Sequence, residues 1–252
     1  MVVCSNQNKL GSLQYENTQI AKIDPKVLRD NRIIMMRNND PRADLFRVLR
    51  TNVLKQLRDN NWNSFAITSA TPGVGKTFVS INLAIAIAME GNQKVLLVDA
   101  DLRRPGITKY LGLNIKYGLN DLLAGTAHLQ EILVNPGIDN LVLLPTKASG
   151  VNYSELLSSP QMASLIKKVK SYYDTEVIIF DVPPLFVADD TLLLLSHIDA
   201  ALYVVEDGKN SEDELRQSMA ILEETNLLGM VINKSRGKLP TYHYGYLSSN
   251  YN

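Results

Sequence analysis

Ser69-Ala70-Thr71-Pro72-Gly73-Val74-Gly75-Lys76-Thr77 stands between an apolar run of strand length, residues 65–69, and a helical pattern over residues 77–90 that Gly91 closes. A strand that turns through glycines into a helix, with lysine and a hydroxyl residue at the turn, is the sequence form of a phosphate-binding loop. The backbone N–H groups of such a loop and the start of its helix face the phosphates. Its lysine neutralises β and γ charge, and its hydroxyl ligates Mg2+. Lys76 and Thr77 take those parts here, while Ala70 stands where the first glycine is usual. The expected ligand is ATP with Mg2+, held by Thr71, Pro72, Gly73, Val74, Gly75, Lys76, Thr77 and Phe78.

Outward from the loop, apolar runs at 95–98, 141–144, 177–180, 200–205 and 230–233 alternate with helical patterns such as 211–224. Continuous apolar runs are what strands buried on both faces require, so the sheet is expected to be mostly parallel with helices on either side. The expectation is a doubly wound α/β domain over residues 41–233. Ligands of such sheets bind beyond the carboxyl ends of the strands. Acidic residues fall at those ends: Asp99 and Asp101 in Leu96-Leu97-Val98-Asp99-Ala100-Asp101, and Asp181 after Val177-Ile178-Ile179-Phe180. Read with the loop, they complete a metal and γ-phosphate site in which Thr77, Asp101 and Asp181 hold Mg2+. A lone acid after a strand is also an ordinary helix cap.

Residues 1–40 are polar, rich in Asn and Gln, and read as an extended arm with one short helix at most. Behind Asp40-Pro41, the residues Leu45, Val48, Leu49, Val53 and Leu54 recur at helical spacing, which predicts an amphipathic helix over about 42–58. On it Asp44, Arg47 and Arg50 share one face at three-residue steps. The last segment, 234–252, has little aliphatic content and carries Tyr242, Tyr244, Tyr246 and Tyr251, so it is read as a flexible tail.

Lys plus Arg and Asp plus Glu number 26 each in 252 residues, so no bulk charge draws the chain to nucleic acid or anionic lipid. Hydrophobic residues make up 45%, enough for a substantial core. Cys4 is the single cysteine, no N-terminal stretch has the form of a signal peptide, and no apolar run approaches the about 20 residues of a membrane span. A cytoplasmic setting is expected.

The ordered set of motifs over residues 40–252 resembles the bacterial tyrosine kinases. It comprises the loop 69–77, the run Leu96-Leu97-Val98-Asp99-Ala100-Asp101-Leu102-Arg103-Arg104-Pro105, the motif ending at Asp181, the acid-arginine helix of Asp44, Arg47 and Arg50, and the terminal tyrosines. The family commonly has glutamate at the positions of Val74 and Asp44, and serine at that of Thr77.

The resemblance implies ATP-dependent autophosphorylation with Tyr242, Tyr244, Tyr246 and Tyr251 as acceptors, Lys76, Asp99 and Asp101 as catalytic residues, and Asp99 as the base, although Asp99 and Asp101 could exchange roles. Asn233, at the end of the last strand, matches a position that approaches adenine in related ATPases; a turn asparagine would look the same. The resemblance also implies a homo-oligomer, a ring in that family, built through Asp44, Arg47 and Arg50. It further implies a membrane-embedded activator or polysaccharide co-polymerase as partner, which would place the chain at the inner face of the membrane; Arg103, Arg104 and the segment after them are candidate contacts, although solvated surface arginines would look the same. The role implied is control of capsular or extracellular polysaccharide synthesis and export. The alternative is an ATP-driven switch of the chromosome-partitioning or division-site type. Such proteins carry a lysine where this loop has Thr71, and they have no use for a tyrosine-rich tail.

Overall fold

The computed structural model describes residues 18–36, 40–91, 93–148, 153–172, 176–187 and 190–237. In chain order the elements begin with β1 (Gln19–Ile20), α1 (Pro25–Asp30), a 3-10 turn (Ile34–Met36), α2 (Ala43–Asp59), β2 (Ser64–Thr68) and α3 (Lys76–Ala88). They continue with β3 (Val95–Asp99), α4 (Ile107–Leu111), α5 (Leu119–Leu123), α6 (Leu129–Ile132), β4 (Val134–Asn135) and β5 (Leu141–Leu144). The second half contains α7 (Tyr153–Leu157), α8 (Pro160–Tyr172), β6 (Val177–Asp181), α9 (Asp190–Leu195), β7 (Ala200–Glu206), α10 (Glu212–Ile221) and β8 (Leu227–Asn233).

One eight-stranded sheet runs in the order β1-β4-β5-β3-β6-β2-β7-β8. Every described pairing is parallel except β4 with β5. The five residues of each of β2, β3 and β6 are all buried, which explains why their sequences show no polar alternation. Side chains still alternate between two cores. Ile67, Leu97, Ile179 and Leu202 face one, with α2 and α3; Ala66, Leu96, Ile178 and Tyr203 face the other, with α8 and α9. Helix α3 is buried along nearly all its length because both α2 and the sheet cover it.

Local chemistry sets the helix starts. Asp40 accepts a hydrogen bond from the Arg42 backbone N–H (3.0 Å) and pairs with the Arg42 side chain, so the turn before α2 is fixed. At α10, Ser211 Oγ accepts from Glu214 N–H and the Glu214 carboxylate accepts from Ser211 N–H, each at 3.1 Å, while Glu212, Asp213 and Glu214 complement the helix dipole.

The polar arm read over residues 1–40 needs correction where it is described. Ile33, Ile34 and Met35 are buried in the core against α3. Asn82 Oδ1 on α3 accepts from the backbone N–H groups of Ile34 (2.7 Å) and Met35 (3.3 Å). The short apolar run Ile33-Ile34-Met35-Met36 thus outweighs the polar composition around it. Because β2, β3, β6, β7 and β8 run in one direction, the segments after Thr68, Asp99, Asp181, Glu206 and Asn233 all open at one edge of the sheet.

Candidate active site

The loop 69–75 crosses that edge between β2 and α3. Gly73 (φ 82°) and Gly75 (φ 99°) take left-handed conformations that side chains resist. A Cβ on Gly75 would lie 2.1 Å from Asn233 Nδ2, so space as well as conformation demands glycine there. Ala70 and Val74 are fully buried, which accounts for small and apolar residues at those places. The loop is tied at its start: Leu185 N–H donates to Ser69 O (2.8 Å), Phe186 N–H to Ala70 O (3.1 Å), and Ser69 Oγ to Thr71 O (2.9 Å).

Lys76 opens α3 and is 8% exposed. Its charge acts on both Asp101 and Asp181. Thr77 Oγ1 donates to Asp181 Oδ2 at 2.6 Å, and the Ser80 hydroxyl lies 3.0 Å from Lys76 O and 3.2 Å from Asp181 Oδ1. Burial pushes Asp181 up to about 6 despite Lys76 and Thr77. Asp99 is completely buried beside it, and burial followed by the Asp181 charge raises it well above the usual carboxylate range. Asp101 is 9% exposed and also raised by burial, against the pull of Lys76.

The two carboxylates after β3 have different surroundings. Asp99 Oδ2 accepts from the backbone N–H groups of Gly106 (3.1 Å) and Ile107 (3.0 Å), at the start of α4; its Oδ1 is buried without a hydrogen-bond partner among the described residues. Asp101 Oδ1 accepts from Arg104 N–H at 3.0 Å. Asp99 therefore holds the segment 100–107 in place, a task its position in the sequence also allowed.

The donors fit Mg2+. Among the described residues no three Asp, Glu, His or Cys side chains form a metal cage by themselves. Hard oxygens of Thr77, Asp101 and Asp181 beside a phosphate loop nevertheless match an ion that takes one or two carboxylates and completes its shell with phosphate oxygens. The unpartnered Asp99 oxygen and three carboxyl groups with raised proton affinity mark a site short of positive charge.

Other expected residues divide. Asn233 Nδ2 donates to Val74 O at 2.8 Å, which brings the end of β8 onto the loop. Phe78 follows Thr77 in α3, and its ring packs edge-on against Phe46 of α2 with centroids 5.8 Å apart. Asp44 and Arg47 form an ion pair within α2, both more than half exposed. Arg50 turns away: its Nη1 donates to Ala86 O (3.2 Å), and its Nε lies 3.2 Å from Glu90 Oε2 without hydrogen-bond alignment. Arg103 and Arg104 are exposed. Tyr242, Tyr244, Tyr246 and Tyr251 lie outside the described residues.

Sequence reasoning missed Ser80, Glu206 and Lys234. Ser80 sits one helical turn past Lys76, a spacing that could have marked it. Lys234 follows Asn233 directly and donates through Nζ to Gly73 O at 2.7 Å, although it was counted with the tail.

Comparisons with known proteins agree with this geometry. The sequence profile of the AAA domain matches residues 63–224. The chain is 31% identical over 223 residues to tyrosine-protein kinase YwqD of Bacillus subtilis, covering 87% of this chain and 92% of that one. EpsB of Ralstonia nicotianae is 35% identical over 210 residues, which are 82% of this chain but 27% of EpsB, so the chain spans about a quarter of that relative's length. Among solved structures, the kinase domain of the Escherichia coli tyrosine kinase ETK superposes with TM-score 0.72 at 29% identity, over 93% of this chain and 98% of that one. The septum site-determining protein MinD of Pyrococcus horikoshii, complexed with Mg-ADP, gives TM-score 0.59 at 24% identity over 71% and 74%, a likeness of fold alone.

Proposed function

Because the chain belongs to the bacterial tyrosine kinases, built on the AAA-type phosphate-loop domain, we propose that it transfers the γ-phosphoryl group of ATP to tyrosine hydroxyls, with Tyr242, Tyr244, Tyr246 and Tyr251 of neighbouring copies as acceptors. The observation that carries this reading is the meeting of Thr77 with Asp181 beneath Lys76, a constellation of cation, hydroxyl and carboxylate at the mouth of the loop.

In this mechanism the loop 71–77 binds the phosphates through backbone N–H groups, and Lys76 holds the β and γ oxygens. Thr77, Asp101 and Asp181 would hold Mg2+, which when bound would supply positive charge to offset that growing on the phosphoryl group. The tyrosine oxygen forms its bond to γ-phosphorus as the bond to the β–γ bridging oxygen breaks, leaving ADP. Asp99 takes the hydroxyl proton; its raised proton affinity suits a base. Since Asp99 is buried, the acceptor reaches it only when the segment 100–107 gives way.

Asp44 and Arg47 are assigned to contacts between copies, with Arg50 bracing α2 from within its own chain through Ala86 and Glu90, and the exposed Leu45 and Val48 on the same helix support that use of α2. Among the described residues no helix is long and apolar enough to cross a membrane. A membrane-embedded partner of the polysaccharide machinery, contacting Arg103 and Arg104, would hold the chain at the inner membrane face and raise its activity, as the family resemblance implies.

The test is to incubate the purified chain with ATP and Mg2+ and follow ADP and phosphotyrosine together. Phosphotyrosine on the tail is expected, weak from the chain alone and stronger once the partner's cytosolic segment is added. ADP release without phosphotyrosine would replace this reading with that of an ATP-driven switch.

A further inference from the structure

The carbonyl oxygens of Gly73 and Val74 each accept from a donor of their own at the end of β8. Lys234 Nζ donates to Gly73 O at 2.7 Å, and Asn233 Nδ2 donates to Val74 O at 2.8 Å. A trans peptide is rigid, with N–H opposite C=O. Fixing these two carbonyls therefore fixes the directions of the Val74 and Gly75 N–H groups, which are the donors a phosphate needs. Gly73 and Gly75 bracket the segment, and glycine lets a peptide plane rotate at little cost, so without an outside anchor the two N–H groups would lose their aim.

Lys234 is held to this task on both sides. Its backbone is left-handed (φ 56°), a conformation unfavourable for lysine that persists only where the surroundings impose it. Its Nζ also donates to Glu206 Oε2 at 3.0 Å, and Glu206 lies opposite Asn233 in the β7–β8 register. The Lys234 hydrogen bond, with Lys209 beside it, holds the Glu206 carboxyl below its usual range. Lys209 reaches the same carboxylate at 3.3 Å and lies beside Gly73, but among the described residues it donates to no carbonyl of the loop.

We propose that Lys234 is a positioning residue for phosphate binding: by holding Gly73 O it orients the Val74 and Gly75 N–H groups toward the phosphates of the bound nucleotide, with Glu206 as its second anchor. The inference rests on the loop's being the ATP site of the proposed kinase. It requires no phosphoryl transfer, so a binding measurement tests it independently of the kinase reading.

Affinities of the full chain for Mg-ADP, inorganic tripolyphosphate and adenosine are measured for the wild type, Lys234→Met, Lys234→Arg and Lys209→Met. Lys234→Met is expected to weaken ADP and tripolyphosphate about tenfold, the loss typical of one charge-assisted hydrogen bond, and to leave adenosine unchanged. Lys234→Arg should recover most of the loss, and Lys209→Met should cost less than about twofold, since Lys209 lies beside Gly73, where a Cβ would be 3.8 Å from its Nζ, and its loss removes equal charge at the same place without removing a hydrogen bond to the loop. Equal losses in Lys209→Met and Lys234→Met would make the effect one of general charge and overturn the proposal. So would parallel loss of adenosine, failure of arginine to rescue, or unchanged ADP binding by Lys234→Met. Should Lys234→Met not fold, Glu206→Leu serves: it removes the acceptor that is the second anchor of Nζ and should weaken tripolyphosphate about threefold, and an unchanged affinity overturns the proposal.

Discussion

Asp99 and Asp181 lie opposite each other on adjacent parallel strands, β3 and β6, and neither side chain is more than 1% exposed. Two acids in one buried register cannot both ionise cheaply without a cation nearby. Burial and mutual repulsion thus prepare the place that the proposed Mg2+ and Lys76 neutralise.

A pH dependence follows. Folded Asp181 binds its proton up to about pH 6, whereas its ordinary value is 3.8, so its stabilising contribution is full below the ordinary value and lost as pH rises through about 6. Without metal or nucleotide, Asp181→Asn should exceed the wild type in stability at pH 7.5 by on the order of 1–2 kcal/mol, with the gap closing toward pH 4.5. The same variant should lose Mg2+-dependent nucleotide affinity. Thermal unfolding in chelator at both pH values checks this, and a gap that widens on acidification would contradict it.

Lys76→Met removes the cation that faces Asp101, Asp181 and the proposed phosphates. Phosphotyrosine should fall at least about a hundredfold while circular dichroism keeps its wild-type form. Full self-labelling by the folded variant would refute the kinase assignment.

Truncation after Arg236 keeps Lys234 on the loop and the Arg236 N–H bond to Asp207 Oδ2. ADP affinity should stay within about twofold and self-labelling should largely vanish. Mass spectrometry that finds the phosphates outside the tail would remove Tyr242, Tyr244, Tyr246 and Tyr251 as acceptors.

On α2 the two arginines should behave differently. Arg50 is tied to α3 of its own chain, so Arg50→Ala should cost about 0.5–1.5 kcal/mol of stability. Arg47 pairs on the exposed surface with Asp44, so Arg47→Ala should cost little stability but lower the assembled mass seen by light scattering. An unchanged mass in the double variant would count against this face as the contact between copies.

Gly75→Ala meets two penalties, a left-handed backbone and the Asn233 side chain. It should abolish ADP binding and lower stability by about 1–3 kcal/mol. Asn233→Ala in the same chain should not restore binding, because the backbone penalty remains; calorimetry on the single and double variants would show this.

The central fold was legible because β2, β3, β6 and β7 are buried on both faces and their sequences are correspondingly unbroken. β8 is an edge strand: Leu227, Met230 and Ile232 are exposed and Gly229 interrupts it, so its first residues carried no such signal. β1 and β4, two residues each, are set by pairing alone. The phosphate loop could be read because its residues are consecutive. The Lys234 to Glu206 contact could not, because it depends on the β7–β8 register, nor could the packing of the Phe78 ring on Phe46, because adjacency to a motif says nothing about which side of a helix a ring takes.

The strand order has a consequence for how the chain is made. β2, which carries the phosphate loop, sits between β6 and β7, so Ser64 pairs with Ile178 and Phe65 with Ala200. A ribosome releases β2 long before either neighbour, and non-local pairing must wait for both. The unfinished chain therefore holds the whole loop sequence without a sheet to shape it. The shaping of the loop is thereby deferred until synthesis has passed β7, and its last contacts, those of Asn233 and Lys234, form only once β8 has been made.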